Sequence, residues 1–82
     1  MDNSLIENLK KILSRVLNLD GNSINDELTR DDVENWDSFN HLLLIAEIER
    51  ELGICFSLSE VEKIRSFKAL REIAAKNLKT QG

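Results

Sequence analysis

The stretch WDSFNHLLLIAEIERELG, residues 36–53, decides how the rest of the chain is read. Asp37 is a residue that caps free backbone amides, apolar side chains recur after it, and Gly53 supplies a stop, so a helix is expected from near Asp37 to Gly53. Phe39, Leu42, Ile45, Ile48 and Leu52 are read as its inward stripe, with Leu44 and Ala46 flanking and Glu47, Glu49, Arg50 and Glu51 mainly solvated. Leu43 does not fit the same stripe and is either partly packed in the core or an exposed contact point.

Upstream, Leu5, Leu9, Ile12, Leu13, Val16 and Leu17 recur at spacings of three and four, which predicts an amphipathic helix over 4–19. Asp20, Gly21 and Asn22 are expected to end it. Residues 20–37 are polar and largely acidic, but Ile24, Leu28, Val33 and Trp36 are spaced through them as anchors, so an ordered loop is expected.

Downstream, GICFSLSEVEKI (53–64) places Ile54 and Phe56 against the core and offers Ser57 or Ser59 as a cap for a short helix carrying Val61 and Ile64. Its alternation also permits a strand. Helix is favoured because no second strand is evident to satisfy the backbone of the first. Ser66 opens a last helix with Phe67, Leu70, Ile73, Ala74 and Leu78 on its apolar face.

The expected fold is all-α: a small irregular four-helix bundle of three main helices and one short one, a single domain over 1–82 with an ordered core over 4–78 and frayed termini. At 82 residues the chain buries only about 60% of its unfolded surface, which leaves little room for a substrate chamber.

Charge is segregated. Residues 1–19 carry +1, residues 20–62 carry −10 and residues 63–82 carry +5, for a net −4. That balance disfavours nucleic acid, while the acidic centre suits a basic protein partner. One cysteine and one histidine exclude an internal disulfide and a zinc site of soft ligands. Asp20, Asn22 and Asp26 do not make a calcium loop, because Asn25 stands where glycine is needed and the terminal glutamate is missing. No integral membrane segment and no secretory leader is read in the sequence, which suits a cytoplasmic monomer.

Catalysis has little to draw on. Ser38 and His41 are three residues apart, a spacing common on helices, and nothing beside them specifies a triad or an oxyanion site. His41 is read as a partly exposed surface or boundary residue and Cys55 as a small packing residue. Ser38 itself, in the first turn after Asp37 with its hydroxyl outward and Phe39 turned to the core, lies where a helix start favours negative charge.

Taken together, the opening amphipathic helix, the long acidic loop, DSF at 37–39, LLLIAEIERELGI at 42–54 and SEVEKIRSFKALREIAAK at 59–76 resemble the acyl carrier protein family of phosphopantetheine-binding domains. The family usually shows Asp-Ser-Leu; here Asp37 and Ser38 match and Phe39 replaces leucine. The resemblance implies that Ser38 carries a 4'-phosphopantetheine arm derived from coenzyme A, that Asp37 supports the attachment site, and that the arm's thiol holds an acyl or related cargo as a thioester. It implies no self-contained active site. The implied partners are a phosphopantetheinyl transferase, an acyl- or aminoacyl-loading enzyme and a downstream synthase or transferase, as in fatty acid or polyketide biosynthesis.

Helix two is the family's recognition element, so Phe39, His41, Leu43, Glu47, Glu49 and Glu51 are the expected partner contacts. Leu43 stands where fatty-acid carriers of the family commonly have an acid, which favours a dedicated carrier in a specialised pathway. Long cargo would enter the core only if Ile45, Ile48, Ile54, Phe56, Ile64 and Leu70 separate. The alternatives are a noncatalytic acidic interaction module with unmodified Ser38, and a phosphoserine-regulated protein.

Overall fold

The computed structural model describes residues 3–81; the frayed ends expected at the extreme termini lie outside the described residues. Four α-helices follow in order: α1 (Asn3–Leu17), α2 (Ser38–Leu52), α3 (Leu58–Lys63) and α4 (Phe67–Gln81). The expected fold class is the one observed. In α1, Leu5, Leu9, Ile12, Leu13 and Leu17 are buried and Val16 is half-buried, and this face packs against α2 and α4. The helix ends earlier than the sequence suggests. Asn18 turns left-handed at φ 57°, a conformation that its short polar side chain tolerates, and Leu19 N–H then donates to Ser14 O at 3.2 Å. Gly21–Ser23 instead forms a separate 3₁₀ turn capped by Asp20.

The acidic loop is ordered as expected, with Ile24, Val33 and Trp36 buried and Leu28 packed against the core. Its backbone is also tied down. Thr29 pairs with Ser66 in a single antiparallel bridge, through Arg30 N–H to Arg65 O and Phe67 N–H to Leu28 O, both 2.9 Å. This link between the first loop and the α3–α4 connection is not legible in the sequence, since backbone pairing of two isolated residues leaves no side-chain pattern.

Residues 58–63 are helical, and of the two candidate serines Ser57 is the cap. Its hydroxyl accepts from Glu60 N–H at 3.1 Å while Glu60 accepts from Ser57 N–H at 2.9 Å, a reciprocal capping box. Glu60 further meets Lys76 Nζ at 2.9 Å and Asn77 Nδ2 at 3.2 Å, so α3 is fastened to α4. These donors, the Ser57 amide first, hold its carboxyl down to about 2. In α4, Phe67, Leu70 and Ala74 are buried, Ile73 and Leu78 are half-buried, and Ser66 Oγ accepts from Ala69 N–H at 3.1 Å.

Two expectations fail in α2 and after it. Phe39 and Leu42 do not face the core; they are 74% and 60% exposed, and the buried row is His41, Leu44, Ile45 and Ile48 with Leu52 half-buried. A row at constant spacing of three drifts by about 60° per step around an α-helix, which puts Phe39 roughly opposite Ile48. Cys55 is exposed rather than packed. It lies in an extended segment between buried Ile54 and half-buried Phe56, and alternation turns it outward.

Candidate functional site

Ser38 is the first residue of α2 and is exposed. Its position is set from both sides. Asp37 is the N-cap in extended conformation, and its Oδ1 accepts from Asn40 N–H at 2.9 Å. Asn40 in turn donates through Nδ2 to Asn35 O at 2.7 Å, and Asn35 donates to Leu17 O at 3.2 Å, which ties the approach to α2 back to the end of α1. Arg30 Nε donates to Trp36 O at 3.4 Å. At the far end Gly53, at φ 67°, closes the helix with its N–H donating to Glu49 O at 2.9 Å.

His41 is 4% exposed, not a surface or boundary residue. Both ring nitrogens have partners: Trp36 Nε1–H donates to Nδ1 at 2.9 Å, and Nε2 lies 2.9 Å from Val61 O. Burial, reinforced by the charges of Arg30 and Arg65 and opposed by the Val61 hydrogen bond, lowers its pKa below the ordinary histidine value. With both nitrogens engaged, the imidazole has no free lone pair for the Ser38 hydroxyl, so the two do not form a nucleophile and base.

Beside Ser38 lies an open groove of about 300 Å³ lined by Arg30, Leu42, Leu58, Val61 and Arg65 together with His41 and Glu62. Among the described residues the large apolar side chains left exposed are Phe39, Leu42, Leu43 and Leu58. Three of them stand in the first two turns of α2. Leu58, 76% exposed at the first position of α3, shares the groove with Ser38 and Leu42. Leu58, Arg30 and Arg65 were not among the site residues expected from the sequence, because only the packing of α3 and the first loop beside α2 brings them there.

The three expected recognition carboxylates lie further along α2 and are in use. Glu47 Oε1 meets Arg15 at 3.2 Å and Arg50 at 2.5 Å, and Glu51 meets Arg15 at 2.6 Å. Arg50, with Arg15 adding to it, keeps the Glu47 carboxyl below its usual range. Glu49 Oε2 accepts from Phe56 N–H at 2.8 Å, fixing the chain that leaves α2.

No helix among the described residues is long and apolar enough to cross a membrane. No protein-family model matches the sequence, and no curated protein matches it. Among solved structures, the chain is similar to a holo acyl carrier protein from Geobacter metallireducens determined by solution NMR, with a TM-score of 0.85 and 27% identity over 99% of this chain and 91% of that one. The chain therefore has the small helical fold of acyl carrier proteins, with Ser38 exposed at the start of its second helix.

Proposed function

We propose that the protein is a noncatalytic carrier that holds acyl or related intermediates as thioesters on a 4'-phosphopantetheine arm attached to Ser38. The observation that carries this reading is Ser38 itself: an exposed hydroxyl at the first position of a helix, capped by Asp37, in a chain whose fold matches that of a holo acyl carrier protein over nearly its whole length. The arm supplies a terminal thiol at the end of a flexible tether.

The residues around Ser38 suit such a group. Free amides of the first turn of α2 favour the negative charge of a phosphodiester. Arg30 and Arg65 add positive charge in the adjacent groove, while Leu42, Leu58 and Val61 give it an apolar wall. Ser38 contributes the oxygen of the phosphodiester, Asp37 fixes the turn that presents it, and Phe39 and Leu43 are open to the enzymes that must reach it. His41 contributes from beneath, not as a contact. Glu47, Glu49 and Glu51 already hold Arg15, Arg50 and the Phe56 amide through one oxygen each, so a basic partner would share these carboxylates with internal donors.

These partners are a phosphopantetheinyl transferase, a loading enzyme and a downstream synthase or transferase, and the setting is the cytoplasm. Which cargo is carried follows from those enzymes. The residues that would separate around a long chain, Ile45, Ile48, Ile54, Ile64 and Leu70, are buried, and Phe56 is half-buried.

The test is to incubate the apo protein with coenzyme A, magnesium and a broadly acting phosphopantetheinyl transferase, and to read intact mass and fragmentation. One phosphopantetheine on Ser38, and none on Ser38→Ala, is the expected result. Absence of the addition with the native host transferase, while a known carrier is modified in parallel, overturns the reading in favour of an unmodified interaction module.

A further inference from the structure

We propose that His41 is a positioning residue for Ser38: its neutral ring bridges Trp36, before the serine, to Val61 of α3, and gain of a proton unfastens the Trp36 side. The proposal rests on reading Ser38 as the attachment site.

Trp36 precedes Ser38 by two residues and His41 follows it by three, so their side chains close a staple across the residue that must be presented. Both are buried, Trp36 at 3% and His41 at 4% exposure. An indole N–H can only donate, so Nδ1 of His41 must accept and carries no proton. The ring hydrogen then sits on Nε2 and donates to Val61 O at 2.9 Å. That carbonyl lies in the last turn of α3, where its partner Ile64 N–H is 3.4 Å away, so the imidazole serves a weakly satisfied helix end. Three elements, the loop before α2, α2 and α3, are thus joined by one relay with a single direction of donation.

Protonation affects the two ends differently. A proton on Nδ1 would set N–H against N–H at 2.9 Å and abolish the Trp36 contact, whereas Nε2 would still donate to Val61. The groups that face the ring set when this happens. Arg30 from the first loop and Arg65 from the α3–α4 connection oppose the charge, together with burial, and Glu62 lines the same groove from α3. The bridge is intact at neutral pH. Because the folded value is the lowered one, the bridge's contribution is fully present above the ordinary histidine range and is lost as pH falls toward the folded value.

The experiment uses the full apo chain labelled with ¹⁵N. At pH 7.5 the His41 ring is expected as the Nε2–H tautomer with the Trp36 indole N–H protected from exchange. On acid titration through the His41 midpoint, protection of the indole N–H, taken against a free indole at the same pH, should fall ~10-fold or more as the ring charges, and Trp36→Phe should raise that midpoint by ~0.5–1 pH unit, since the donor that favours the neutral ring is gone. In parallel, the rate of Ser38 modification, normalised at each pH to another carrier with the same transferase, should fall ~3-fold or more through that titration in the wild type. The His41→Gln protein, which has no charge to gain, should show a flat profile.

An Nδ1–H tautomer, an indole that stays protected throughout, or parallel pH profiles for wild type and His41→Gln overturns the proposal. The tautomer and exchange measurements need no variant, so a misfolded substitution does not shield it. Absence of modification at every pH overturns the reading of Ser38 instead, and the ring measurements then judge the bridge alone.

Discussion

At the start of α2, residues 38–43, the exposed side chains are Ser38, Phe39, Leu42 and Leu43, whereas residues 47–51 of the same helix carry three carboxylates whose oxygens already meet Arg15, Arg50 and Phe56 N–H. By residue type alone the second half looks like the interaction surface and the first like core. Burial and internal contacts divide the helix differently. Phe39 and Leu42 are left mostly uncovered beside Ser38, while each carboxylate of the acidic end already holds an internal donor, so availability, and not polarity alone, bears on which surface is open to other molecules. Phe39 and Leu42, 74% and 60% exposed, gain little from folding in those positions, while ion pairs at a surface contribute only about 0–1 kcal/mol each and need no partner protein to account for them.

The two halves of α2 meet at Leu44, which is fully buried. Leu44→Ala removes that contact from both halves at once. It is expected to lower stability by about 2–5 kcal/mol, read from the urea midpoint at unchanged slope. A loss under about 1 kcal/mol would mean that α2 is held by its ends and that its two halves do not depend on a shared core.

Within the acidic half, Glu49 and Glu51 should separate. Glu49→Ala leaves the part-buried Phe56 N–H without its acceptor and is expected to cost about 1–2 kcal/mol. Glu51→Ala removes only an exposed pair with Arg15 and should cost less than about 0.5 kcal/mol. Equal losses in urea titrations would show that the carboxylates act as a uniform charged face, as composition suggests, and not as individual structural acceptors.

What was legible in the sequence follows the same division. The stripe of α1, the anchors Ile24, Val33 and Trp36, and the capped start and glycine stop of α2 were readable because each depends on local spacing or a local backbone preference. Asp37 as the cap and Ser38 as the first helical residue were readable for the same reason, whereas a role for Ser38 as an attachment site rested on the resemblance of the whole chain to carrier proteins. The inward face of α2 was not, because Phe39, Leu42, Ile45 and Ile48 form an i, i+3 row that winds around the helix while looking continuous on paper. His41 was not legible either. A lone histidine among apolar residues is buried only if both nitrogens find partners, and one of those partners is a carbonyl twenty residues away, contributed by α3. The nearness of the chain's one tryptophan and one histidine was the available signal. The engagement of Glu47, Glu49 and Glu51 depends on Arg15 and on the chain's path after Gly53, which helical periodicity does not encode.

The smallest expected change in stability tests the apolar half. Phe39 and Leu42 are exposed, so Phe39→Ser and Leu42→Ser remove little buried area and should each move the unfolding free energy by no more than about 0.5 kcal/mol. If the cluster exists to be covered by the enzymes that reach Ser38, the same substitutions should lower kcat/KM for phosphopantetheinylation by ~5-fold or more, the loss of about 1 kcal/mol at which an interface side chain counts as contributing. Raising salt should weaken that reaction only modestly, because burial of apolar surface is not screened while attraction to carboxylates is. A stability loss above about 1 kcal/mol would return Phe39 or Leu42 to the core. Unchanged modification, with a steep salt dependence, would return recognition to the acidic half, where an incoming cation would share the carboxylates with Arg15 and Arg50.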